Sequence, residues 1–165
     1  MNFFFQEFIP HVESEFRIVG DREHRAIAGL SMGGGGTTHY AMTHSGMFSS
    51  AYAMSALMGM VENSWISYAP DARRRAFMRS IVDNNNIEHL KNAADEECRD
   101  IASVRWFIDV GDDDFLFENN MDFVCEMRRK HIPYQLRVRD GGHTWEYWHS
   151  ALYTALPWVS RCFNK

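Results

Sequence analysis

The chain has 165 residues, 45% of them hydrophobic and 14% aromatic, enough for one domain with a moderate core and unlike a disordered segment. Its 22 acidic residues outnumber the 17 basic ones, giving a formal charge of -5 without an extended basic run, which argues against nucleic acid as the main partner. Cys98, Cys125 and Cys162 lack C-x-x-C spacing, so neither a zinc site nor a redox pair is indicated, and no apolar run approaches the roughly 20 residues of a membrane span.

In chain order, Asn2 to Phe16 predicts a helix. Phe4, Phe5, Phe8, Ile9, Val12 and Phe16 form an apolar stripe read as core, and Pro10 either kinks the helix or marks its first turn. The charged turn Gly20 to His24 leads into Arg25 to Gly29, short and apolar enough for a buried strand. Met32 to Ser45 reads as a helix despite its glycines. Met47 to Ala56 reads as a second buried strand, its serines 49, 50 and 55 structural. Leu57 to Asn86 is read as an insertion with one helix, Arg73, Arg74 and Arg75 lying on a solvated face. A short helix is predicted over Ile87 to Cys98, ending near Arg99, and a strong strand over Val104 to Val110 that runs into Gly111-Asp112-Asp113-Asp114. Phe115 to His131 predicts a helix that Pro133 terminates. Tyr134 to Arg139 alternates like a half-buried strand and ends at Asp140-Gly141-Gly142-His143. Thr144 to Phe163 is the closing amphipathic helix, interrupted at Pro157. This alternation predicts an α/β fold: one domain with a mostly parallel sheet and helices on both faces.

Gly29-Leu30-Ser31-Met32-Gly33 sits where a strand should turn into a helix. A serine on such a sharp turn is a nucleophile elbow, with the small residues Gly29 and Gly33 letting strand and helix pass closely. The Met32 amide then lies at a helix start, where free N–H groups and the helix dipole favour an oxyanion. The pentapeptide alone fits a glycine-rich helix entry equally well. A phosphate loop is disfavoured because no Gly-Lys-Ser/Thr follows.

Acyl transfer needs a base for the serine and a carboxylate to orient that base. The Asp112–Asp114 turn and His143 each follow a later predicted strand, in the order Ser, Asp, His of the α/β-hydrolases. Spacing does not choose among Asp112, Asp113 and Asp114, which also fit a cation-binding or capping turn. A paired-carboxylate glycosidase would leave Ser31 and His143 unused. His39, His44 and His131 are read as structural or solvated. Trp148 is read as core, while Leu30 and Trp145 are the candidate substrate contacts. No cofactor or metal is called for.

His24-Arg-Ala-Ile-Ala-Gly-Leu-Ser-Met-Gly-Gly34, Val110-Gly-Asp-Asp-Asp-Phe-Leu116 and Gly141-Gly-His-Thr-Trp-Glu-Tyr-Trp148 together resemble the esterase D and feruloyl esterase branch of the α/β-hydrolases. The resemblance spans nearly the whole chain and implies Ser31 as nucleophile, His143 as base and, from Gly-x-x-Asp-Phe-Leu, Asp114 as acid. It implies hydrolysis of a carboxylic ester through an acyl-enzyme. The substrate would be a feruloyl or acetyl ester of plant polysaccharide type, or a small acyl ester, with no membrane partner. An acyltransferase using the same triad, or a weak module that assembles with a partner chain, are the alternatives. The family fold also has strands before the elbow and a loop with the second oxyanion donor. The chain is therefore expected to be the C-terminal part of that fold, its elbow strand an exposed edge for a second copy to cover. The compartment follows from the same point: secreted or periplasmic if a signal peptide precedes, otherwise cytoplasmic.

Overall fold

The structure, a computed structural model, describes residues 3–61 and 71–163. Among the described residues four strands form one sheet in the order β1 (Ala26–Leu30), β2 (Ser50–Met54), β3 (Arg105–Gly111) and β4 (Tyr134–Arg139), every neighbouring pair parallel. Between them run α2 (Met32–Thr43), after β1, and α6 (Phe117–Arg129), after β3. The β2–β3 connection holds α3 (Ala72–Asp83), α4 (Asn86–Asn92) and α5 (Asp95–Ala102). A π-helical turn (Phe3–Phe8) and α1 (Ile9–Glu15) open the chain and α7 (Trp145–Phe163) closes it.

The side-chain alternation of the two central strands divides the core. Ala51, Ala53, Trp106 and Ile108 point into the larger cluster, with Met42 of α2, Ile101 of α5, and Phe123 and Met127 of α6. Tyr52, Met54 and Phe107 point the other way, onto Tyr147, Trp148, Ala151 and Trp158 of α7. The sheet is thus covered on both faces, and its loops at the carboxyl ends of the strands converge where an α/β fold carries its sites. No helix among the described residues is long and apolar enough to cross a membrane.

Several elements differ from the sequence expectation for identifiable reasons. β1 is half-buried, with Ala28 exposed, because it pairs only with β2 among the described residues. The N-terminal stripe is half-buried and not core: Phe4 and Phe5 pack on Tyr40 of α2, Ile9 and Val12 are half-buried, and Phe8 and Phe16 face solvent. The helix expected over Ile87 to Cys98 is two helices, since Ala93 and Ala94 are extended and Lys130 Nζ donates to Ala93 O at 2.8 Å. That break lets Leu90 and Ile101 both bury fully. α7 runs uninterrupted through Pro157, whose ring is exposed while Ala155, Trp158 and Cys162 stay packed on either side. Of the expected insertion at Leu57–Asn86, residues 62–70 lie outside the described ones.

Candidate active site

Ser31 joins β1 to α2 with φ 55° and ψ -121°, a conformation L-residues rarely adopt. The end of β2 braces it. Ser31 N donates to Met54 O at 2.9 Å, and Ser31 O accepts from Leu57 N at 2.9 Å and Gly35 N at 3.1 Å. Ser55, also at positive φ, makes the bend that lets Leu57 reach back. Strand and helix do pass closely at Gly29, where a Cβ would lie 2.3 Å from Gly33 O and 2.8 Å from Thr37 Oγ1. Gly33 itself has nothing within 4 Å of its Cβ position, so it contributes its carbonyl and not a missing side chain. The crowded helix glycines are Gly34, against Ala56, and Gly35, against Leu57 O. Met32 is the first residue of α2, so its N–H has no acceptor within the helix.

His143 brings the strand ends together. Its Nε2 is 2.8 Å from Ser31 Oγ, and its Nδ1 is 3.0 Å from both carboxylate oxygens of Asp114. With the proton on Nδ1 donated to Asp114, the Nε2 lone pair is free to accept from the serine hydroxyl. Of the three consecutive aspartates, Asp114 alone is buried, and its Oδ1 also accepts from Leu116 N at 2.8 Å. The imidazole packs against Phe115, at 4.5 Å between ring centres, and edge-to-face against buried Trp148, at 4.8 Å.

Asp112, Asp113 and Asp140 each place an oxygen within 4.8 Å of the others, the one such acidic or metal-ligating group among the described residues. All three are exposed, and exposed carboxylates of this kind need no ion. The two candidate substrate contacts differ in exposure. Leu30 ends β1 half-buried against the α7 side of the core, and Trp145 is 72% exposed beside Trp148. Two clefts lie beside the elbow. One, of about 390 Å³, is lined by Met32, Tyr40, Leu57, Phe77 and Ile81. The other, of about 600 Å³, is lined by Leu57, Met60, Ile87, Phe115 and Leu116.

Sequence reasoning missed the buried polar cluster under the His143 loop. Asp109 of β3 is fully buried and accepts from Tyr52 Oη at 2.6 Å, Tyr147 Oη at 2.7 Å and Arg137 Nε at 3.1 Å. Burial and then the Asp109 hydrogen bond push both phenols well above their ordinary range, so both remain donors. Its signal was a lone acid inside the apolar run Val104 to Val110.

A parallel sheet that carries a serine on a left-handed strand-to-helix turn, with an aspartate and a histidine after later strands, is the architecture of the α/β-hydrolases. Within that class the chain belongs to the Esterase family, described as "Putative esterase", whose model matches residues 1–159. It is similar to a solved ferulic acid esterase, with 50% identity, a TM-score of 0.92, and 98% of this chain and 61% of that chain covered. A substrate-bound fluorophosphonate-binding serine hydrolase of Staphylococcus aureus aligns at 25% identity and a TM-score of 0.73, covering 94% of this chain and 62% of that one. An acetyl esterase of Caldicellulosiruptor saccharolyticus is 28% identical over 167 residues, 94% of this chain and 61% of the relative. The chain thus spans 61–62% of the length of these relatives.

Proposed function

We propose that this chain carries the catalytic residues of a serine-dependent carboxylic ester hydrolase. The observation that supports it is the relay from Ser31 Oγ through His143 to buried Asp114. In this reading Ser31 Oγ attacks the ester carbonyl as His143 Nε2 takes its proton, and the Met32 N–H holds the oxyanion. The imidazolium returns that proton to the departing alcohol, leaving an acyl group on Ser31. Water, deprotonated by His143, then releases the acid and restores the serine. Asp114 keeps the imidazole in the required tautomer and offsets its charge throughout.

The substrate proposed is an ester of an aromatic hydroxycinnamic acid, such as a feruloyl ester. Half of the residues match those of a ferulic acid esterase, and the aromatic rings of Phe77 and Phe115 each line a cleft beside the elbow. β1 offers an unpaired edge among the described residues, and the reading includes a strand that covers it in the working protein. The test is hydrolysis of methyl ferulate and methyl acetate, which share a leaving group, by the wild type and Ser31→Ala. Turnover that vanishes in the variant is expected, with methyl ferulate the better substrate by kcat/KM. Equal activity in the variant would overturn the mechanism, and a preference for acetate would overturn the substrate.

A further inference from the structure

The Asp109 cluster joins all the elements that meet beneath the base. Its carboxylate lies on β3 and its two phenol donors come from different places: Tyr52 from β2, and Tyr147 from the first turn of α7, four residues beyond His143. Arg137 of β4 supplies the balancing charge. A buried carboxylate is tolerable only when such partners are complete.

Tyr147 touches the His143 loop directly. At Gly141, φ 131°, a Cβ would lie 2.9 Å from Tyr147 Cδ2; at Gly111 one would lie 1.9 Å from Gly141 O and 3.2 Å from Tyr147 Cε2. The loop is therefore clamped between the Tyr147 ring and the end of β3, where Asp113 N donates to Gly141 O at 3.1 Å. The Arg139 guanidinium lies 3.9 Å over the same ring and donates to Tyr147 O at 3.2 Å. Tyr52, by contrast, packs on Phe107 and Trp158, away from this loop.

We infer that Tyr147 is a positioning residue, whose hydroxyl anchored on Asp109 sets the ring that holds Gly141, and through it His143, in register with Ser31. The inference rests on the reading of Ser31 and His143 as nucleophile and base. A misplacement of about 1 Å in a catalytic group can cost on the order of 100-fold in rate.

The matched pair Tyr147→Phe and Tyr52→Phe tests it, because each deletes one buried hydroxyl from the same acceptor. Both chains are assayed below their Tm values, after their near-UV circular dichroism is shown to match the wild type. Tyr147→Phe is expected to lower kcat, and the rate of reaction with a fluorophosphonate, by about 10- to 100-fold with KM within about twofold. Tyr52→Phe should stay within about twofold in all three. Equal losses in both variants, or no loss in Tyr147→Phe, would overturn the positioning role alone. A wild type that reacts no faster than Ser31→Ala would overturn the functional reading and this inference with it.

Discussion

His143 Nε2 and Ser31 Oγ stand 2.8 Å apart although 112 positions separate them in the chain, and their strands β4 and β1 are the two outermost of the sheet among the described residues. The contact is possible because all four strands run the same way, so that the turns after β1, β3 and β4 emerge on one edge. Two of these turns are tied to each other, Asp113 N donating to Gly141 O and Gly141 N to Asp112 Oδ1, both at 3.1 Å, and each has its own brace. The elbow is held by hydrogen bonds to the end of β2, the Asp114 turn by its own carboxylate, and the His143 loop by Tyr147.

The choice among the three aspartates yields a sharp contrast. Asp114→Asn replaces the carboxylate that holds the Nδ1 proton, and kcat should fall about 10⁴-fold as the wrong tautomer is favoured. Asp113 is exposed, and Asp113→Asn should leave kcat within about twofold. Steady-state kinetics on both variants check the pair, and comparable losses would show that the acidic turn acts as a whole.

The close passage at Gly29 has a thermodynamic counterpart. Gly29→Ala drives a methyl against the Gly33 carbonyl and should cost about 1–3 kcal/mol in urea unfolding, with activity lost as the elbow shifts. Gly36, also in α2, has no heavy atom within 4 Å of its Cβ position. Gly36→Ala should therefore gain about 0.5–1 kcal/mol from helix propensity and the stiffer unfolded chain.

Acidification should destabilise the fold through His39. Burial, and then repulsion from His89 with its ring centre 6.4 Å away, lower the His39 pKa from its ordinary 6.5, and its Nδ1 is buried without a partner. The unfolded chain then binds a proton near pH 6.5 that the folded chain resists. Stability is complete above that pH and falls below it until the folded pKa is reached. His44 shifts the same way through burial and adds to the slope. Tm measured between about pH 7.5 and 5.5 should fall less steeply in His39→Gln than in the wild type; parallel curves would remove His39 as a source.

Much of this fold was legible before the structure because local signals agreed. β4 occupies the predicted span, since alternation from Tyr134 to Arg139 is unambiguous between Pro133 and Gly141. The order of Ser31, an acidic turn and His143 was equally readable. What was not readable depended on neighbours distant in sequence. That Ala93 and Ala94 break a helix is decided by Lys130 and by the shared burial of Leu90 and Ile101. Pro157 looks like an interruption until the packing of Trp158 and Cys162 is known. Singling out Asp114 needed either the family pattern or its burial, because three adjacent carboxylates are equivalent to any spacing rule. Asp109 escaped notice because its three hydrogen-bond donors, Tyr52, Tyr147 and Arg137, lie 28 to 57 positions away.

The central claim is that Ser31 is a nucleophile activated by His143, and a covalent adduct tests it most directly. After reaction with a fluorophosphonate, intact mass and peptide mapping should find one phosphonyl group on the peptide containing Ser31. It should be absent in Ser31→Ala and form much more slowly in His143→Gln. A wild-type chain that stays unmodified, or an adduct that persists in Ser31→Ala, would contradict the account.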